Sequence, residues 1–147
     1  MVFIQEWGSA RHAANAAFLF AITSKIDSDP ADLAWAKGQI DYLLGHGPNG
    51  HPVVNGARGS YQIGYGTNYP NTPHHASSSC PTPSGGTCDW NDFNSPNPNP
   101  WILYGALIGG TQSHLTDAFS DDRGNFVTNE VALDYNCGFQ GTLAALI

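Results

Sequence analysis

The sequence predicts an all-α chain whose helices are joined by long ordered loops. Three observations point that way. Apolar residues recur at helical spacing in three separate runs, near the start, near residue 40 and at the end. The first run is dominated by Ala, the best helix former. Between the second and third runs, from His46 to Pro100, Gly, Pro, Asn and Ser interrupt every pattern, so this segment reads as loop. A loop of that length in a compact domain implies a functional surface rather than a spacer. At 147 residues one domain is expected, with length enough for a real core.

The first helix is placed at residues 6–24. Ala13, Ala14, Ala17, Phe18 and Ala21 form its apolar face, Ser9 is read as its cap, and the small side chains permit close helix–helix approach. Trp7 and Arg11 are read as anchors of the turn that enters it. Asp29-Pro30 opens the second helix, 30–45, with Pro30 in the first position and Gly45 as the stop. Leu33, Ala36, Ile40, Leu43 and Leu44 supply its stripe. A short connection makes these two helices an antiparallel hairpin. Trp101 to Ile108 is read as a short helix ending at Gly109-Gly110. The last helix is placed at 130–146, with Thr128 or Asn129 as its cap and Val131, Tyr135, Phe139 and Leu143 on its apolar face.

Composition removes several function classes. Five Lys plus Arg against twelve Asp plus Glu leave a net charge of −7 and no basic stripe, so nucleic acid is not an expected partner. No apolar run approaches the length of a membrane span, and Met1 to Ile4 lacks the basic start and apolar core of a signal peptide. Four Trp and six Tyr with few cations suit a neutral, stackable ligand such as a sugar chain. Of the three Cys, Cys80 and Cys88 bracket the Pro/Gly/Ser segment Pro81 to Thr87, where a disulfide would hold a loop that cannot hold itself; their Cα atoms are expected about 5.5 Å apart. Cys137 is expected to be remote and buried. This pattern points to a secreted protein. His74, His75, Cys80 and Cys88 are also four potential zinc ligands, but adjacent histidines and the long gap between the cysteines fit zinc spacings poorly. No metal and no cofactor are expected.

The stretch from Phe119 to Asn136 concentrates the chemistry. Asp121, Asp122, Arg123, Glu130 and Asp134 lie in one run punctuated by Phe119 and Phe126. A carboxyl held at a helix mouth between aromatics loses solvation, which favours its protonated form and general-acid work. The helix dipole opposes this, and the plainer reading of Glu130 is an ordinary acid of a first helical turn.

The spacing Phe119-x-Asp121-x4-Phe126-x3-Glu130-x-Ala132-x3-Asn136 resembles the C-terminal signature of glycoside hydrolase family 9, the cellulases and endoglucanases. A second segment, Ser60 to Asn68 followed by Pro73-His74-His75, resembles the family's histidine motif through Gly64, Gly66, Asn68, Pro73 and His74. Gln62, Ile63 and Cys137 depart from the pattern, and Ala76 stands where the family has an Arg that forks hydrogen bonds to substrate hydroxyls. The resemblance runs from about Trp7 to Leu146. It implies the C-terminal third of a single catalytic domain, part of an (α/α)6 barrel. It further implies an endo-β-1,4-glucanase acting with inversion, with Glu130 as catalytic acid, Asp121 as a second active-site carboxylate, His74 positioning the sugar and Tyr135 holding the ring beside the cleaved bond. The catalytic base of the family lies in an Asp-Ala-Gly-Asp segment that this sequence lacks. The expected partners are therefore a β-1,4-glucan and a missing N-terminal part, which would also carry the signal peptide. By itself the chain is expected to be inactive. The alternative is a non-catalytic descendant that binds β-glucan or serves a structural role.

Overall fold

The computed structural model describes residues 1–48, 50–81, 86–115 and 119–147. Three long helices carry the fold: α1 (Ser9–Asp27), α2 (Pro30–Leu43) and, at the far end of the chain, α6 (Leu133–Ala145). Between them lie the two-stranded hairpin β1 (Val53–Val54) and β2 (Ala57–Arg58) and three single-turn helices: α3 (Ala76–Ser79), α4 (Trp90–Phe93) and α5 (Phe126–Asn129).

The hairpin of α1 and α2 forms as expected. Asp29 accepts the Ala31 N–H at 2.8 Å and Pro30 occupies the first turn, so two of the orphan donors there need no further partner. Thr23 donates to Asp32 at 3.0 Å and Phe20 meets Trp35 with ring centroids 4.3 Å apart, a pairing that runs down one helix as it runs up the other. Ala17, Ala21 and Ala36 are buried where the two helices meet.

The start of α1 differs from expectation. Ser9 does not cap it. Gly8 takes that position with φ +66°, and Ser9 donates instead to the Thr111 carbonyl at 2.7 Å. One of the helix's free N–H groups is satisfied by another part of the chain, since Ala10 N donates to Gly109 O at 2.8 Å. That contact requires Gly109 and Gly110. A Cβ on Gly109 would lie 2.7 Å from Thr128 O, and one on Gly110 would lie 2.9 Å from Ser9 Oγ.

Trp101 to Ile108 is not a helix. Gly105 sits at φ +86°, and the donors of the segment go to neighbouring extended chain, Gly105 N to Ile63 O and Ile108 N to Tyr61 O. Leu107 and Ile108 form isolated bridges to Gln62 and Val131. These long-range pairs outcompete a local helix. The same competition breaks the last helix in two. Residues 130–132 are extended because Glu130 pairs with His74 and Val131 with Ile108. Neither Thr128 nor Asn129 is therefore the cap of α6; both belong to α5 and are buried.

The main core joins both ends of the chain. Ala10 and Ala14 of α1, Ile40 and Leu43 of α2, Tyr61, Leu107, Ile108, and Tyr135 and Phe139 of α6 form one cluster. Helix α6 lies close on α1 because Gly138 and Gly141 lack side chains where Asn15 and Phe18 approach.

One buried side chain anchors the segment between Cys80 and Pro100. Trp90 is 75% exposed and Trp101 45%, so aromatic burial does not anchor it. Arg123, only 4% exposed, does. Its guanidinium donates to Asn99 Oδ1 at 2.7 Å and to the carbonyls of Phe93, Ser95 and Asn97 at 2.8 Å each. A Pro-rich segment has few N–H donors and many unpaired carbonyls, which a five-donor side chain can satisfy. Cys80 and Cys88 are joined in a disulfide with Cα atoms 5.3 Å apart; of the loop they close, residues 82–85 lie outside the described residues. Cys137 is a free thiol but exposed, because its face of α6 turns away from the core.

Two measurements check this packing. Gly138→Ala places a methyl 2.8 Å from Asn15 Cα. It is expected to lower stability by about 1–3 kcal/mol in urea unfolding. Gly38→Ala, in open space on α2, is expected to raise stability by about 0.5–1 kcal/mol. A thiol reagent is expected to label Cys137 in the native protein and no additional thiol after denaturation without reductant.

Candidate active site

The extended link 130–132 carries Glu130 between α5 and α6. Pairing with His74 brings two residues 56 positions apart side by side in parallel register, and the His74 N–H donates to Asn129 O at 2.7 Å. Residues paired in this way present their side chains to the same face. Glu130 is partly buried. Its Oε2 accepts two hydrogen bonds, from Trp7 Nε1 and from the Tyr135 hydroxyl, both 2.8 Å long. No hydrogen bond to Oε1 is made among the described residues.

Trp7 reaches Glu130 because Gly8 turns the chain immediately before α1 and bonds to α5 through Gly8 N to Val127 O, 3.1 Å. A side chain at Gly8 would strike the Tyr135 hydroxyl at 2.9 Å, which couples the turn to the Tyr135 position as well. The Trp7 ring meets Phe126 edge-on at 5.2 Å, and Phe126 meets the His74 ring at 6.0 Å. Trp7, Glu130, Phe126 and His74 thus form one continuous patch.

His74 is fixed in orientation and tautomer. A carbonyl oxygen only accepts, so Nδ1 carries the proton it donates to Arg123 O at 2.7 Å, leaving Nε2 as the acceptor of the neutral ring. Phe93 packs edge-on against the other side at 5.6 Å. Asp121 stands one step further back. Its two carboxylate oxygens accept Asn71 N at 2.7 Å, Thr72 N at 3.0 Å and the Thr72 hydroxyl at 2.8 Å. These bonds hold the segment that leads into His74. All three sequence-predicted residues therefore share one locality: Glu130 and His74 in direct backbone pairing, and Asp121 bound to the approach of His74.

Tyr135 is buried at the first turn of α6. Burial first, and then the Glu130 carboxylate bonded to its hydroxyl, push its phenol well above the usual tyrosine range. The Arg11 guanidinium, 4.6 Å over its ring and bridged to Asp134 at 3.0 Å, opposes that shift. Arg11 is thus a constituent of the site's wall as well as of the first turn of α1.

Sequence reading placed Trp7 in a structural turn and missed its bond to Glu130. It also missed Asn99, which accepts from Arg123 and donates to Pro73 O and Ser78 Oγ, and so ties the Pro/Asn segment to the histidine loop. Nothing in a Pro/Asn-rich run singles out one Asn. Among the described residues no cluster of His, Cys, Asp and Glu has the arrangement of a metal site. His75 caps α3, accepting Ser78 N at 3.2 Å, and Cys80 and Cys88 are consumed in the disulfide.

The sequence profile of glycosyl hydrolase family 9 matches residues 1–143. This chain belongs to glycosyl hydrolase family 9. The endoglucanase of Dictyostelium discoideum is 39% identical over all of this chain, which spans 18% of that protein; Endoglucanase 18 of Oryza sativa subsp. japonica is 36% identical, again over all of this chain and 30% of its own length. Among solved structures, the endoglucanase of the termite Nasutitermes takasagoensis superposes with a TM-score of 0.84 at 48% identity, covering 99% of this chain and 31% of the termite chain. The cellulase Cel9M, solved with cellobiose, gives a TM-score of 0.78 at 36% identity, covering 97% of this chain and 29% of its own. The family 9 chain therefore folds as part of an (α/α)6 barrel and spans less than a third of each of these relatives.

A titration checks the coupling of Tyr135 to Glu130. The folded state keeps a phenolic proton that the unfolded chain releases at about pH 10. That contribution to stability is therefore complete below about pH 10 and is lost as pH rises above it. Tyr135→Phe is expected to flatten the alkaline limb of a stability–pH profile measured by urea unfolding. An unchanged limb would show that the phenol titrates normally.

Proposed function

We propose that this chain supplies the acid side of an endo-β-1,4-glucanase site that hydrolyses with inversion. The observation that supports the reading most directly is the position of Glu130. One carboxylate oxygen is held by two donors, from Trp7 and Tyr135, and the other is left for the proton that goes to the leaving glycosidic oxygen. His74 Nε2 borders the same patch and positions the sugar beside that bond, while Tyr135, buried beneath Arg11, acts through its hydrogen bond to Glu130. Asp121 acts as a positioning residue, since both its oxygens are engaged in holding the segment before His74.

Inversion needs a second carboxylate that takes a proton from water on the opposite face of the sugar, with room for that water between the two. Asp121 is committed to the histidine loop, and Asp122 binds Gly124 N at 2.9 Å within its own turn, so neither is placed for this task. The base comes from the remainder of the barrel. Leu19, Ile22 and Ile26 on the outer face of α1 are exposed and offer apolar surface for further helices. The Cys80–Cys88 disulfide accords with a secreted enzyme acting on extracellular glucan.

Purified 1–147 is expected to release no reducing ends from soluble β-1,4-glucan. Activity is expected to appear when a complementary segment carrying an Asp-Ala-Gly-Asp sequence is supplied, and to be lost again with Glu130→Gln. Robust hydrolysis by the chain alone, abolished by Asp121→Asn or Asp122→Asn, would overturn the assignment of the base to another segment.

A further inference from the structure

A cavity of about 340 Å3 lies against the segment that leads into His74. Its walls are Ile63, residues 67–71, Pro73 and residues 98–103, and Asn55, from the turn of the β1–β2 hairpin, also lines it. No charged side chain lines it. Phosphates, carboxylates and metal ions are thereby disfavoured as occupants, because each would be desolvated without a compensating charge.

The lining instead combines flat apolar surfaces with amides. Tyr69, Pro98, Pro100 and Trp101 supply the first. Trp101 is both exposed and fixed: its Nε1 donates to Cys80 O at 2.9 Å and its backbone N–H to Ser78 O at 3.2 Å, so the disulfide-bound Cys80 holds the indole in place. The side-chain amides of Asn55 and Asn71 make no hydrogen bond among the described residues. A pyranose needs this combination, since its axial C–H face stacks on flat rings and its equatorial hydroxyls both donate and accept. The volume is at the lower end of small-ligand pockets, enough for roughly one or two sugar rings.

We propose that this cavity is a second saccharide site, which takes the end of a neutral β-linked glucan with Trp101 as stacking platform and the Asn55 and Asn71 amides as hydrogen-bonding rim. The saccharide class follows from the lining; its identity as β-glucan rests on the functional reading above. The site is also wired to the active-site patch. Asn71 accepts Asn99 N at 2.8 Å through its carbonyl and donates its N–H to Asp121, three residues before His74. A glucan end seated here bears on the loop that carries His74.

The chain's four Trp allow each site to be read separately through its indole N–H signals in 15N-labelled protein. Cellotriose is expected to shift the Trp101 signal saturably. Trp101→Ala and, independently, Asn71→Ala are expected to weaken the response at this site at least about tenfold, about 1.4 kcal/mol. In Asn71→Ala the response is followed at the Trp101 signal; in Trp101→Ala it is followed at the backbone amides of residues 67–73. Trp101→Phe should restore most of the affinity, and the Trp7 response should be unchanged throughout. Asn71→Ala leaves the backbone bonds of Asn71 intact and so remains informative even if Trp101→Ala disturbs the fold. A silent Trp101 beside a responding Trp7 would overturn this site alone. A responding Trp101 beside a silent Trp7 would uphold it and count against the functional reading. Equal response to maltotriose would overturn the β-linked assignment, and unchanged affinity in both variants would overturn the site.

Discussion

The crossing of Gly109-Gly110 over the first turn of α1 is the contact on which the site depends. There the Gly109 carbonyl terminates the free N–H of Ala10, Gly110 N donates to Thr128 O at 2.9 Å, and no Cβ fits on either glycine. One pair of residues thus locks the start of α1 to α5. Because Trp7 lies just before α1 and Glu130 just after α5, the distance between indole and carboxylate is set by backbone at both ends. A donor on a flexible side chain would hold the carboxylate less strictly, since each free rotamer has to be given up on binding.

A second constraint is electrostatic. Arg123 is buried with no carboxylate bound to it among the described residues, and its charge is balanced by the carbonyl dipoles of the Pro/Asn segment and by Asn99. Its own carbonyl receives the His74 ring. One residue therefore fixes the rim segment with its side chain and the histidine tautomer with its backbone. The arrangement places a positive charge near the site without offering it to solvent, and it explains how a segment with few donors and two exposed tryptophans is nevertheless ordered.

The helices were legible wherever local signals decide them. Asp29-Pro30 and the alanine face of α1 act within a few residues, and the structure follows them. Local signals failed wherever a distant strand claimed the backbone first: at Trp101 to Ile108, where Tyr61 and Ile63 take the hydrogen bonds, and at residues 130–132, where His74 and Ile108 do. Cys137 was misplaced because a position on a helix does not reveal which way its face turns until the neighbours of α6 are known. At the site, the juxtaposition of His74 and Glu130 was legible only through two motifs recognised together, since no periodicity links them. Trp7 was beyond reach, because its partner is 123 residues away and nothing in the turn around it specifies a carboxylate.

That separation also bears on how the protein is made. Helix α1 is complete in the nascent chain long before the segment that satisfies its first turn, and well over a hundred residues before α6 covers its alanine face. Ordering contacts so far apart costs loop-closure entropy before any of it is returned, which makes such topologies slow to assemble. Until α5 and α6 emerge, the face of α1 that they cover lacks those partners, so the growing chain passes through an interval in which that face is open to other contacts.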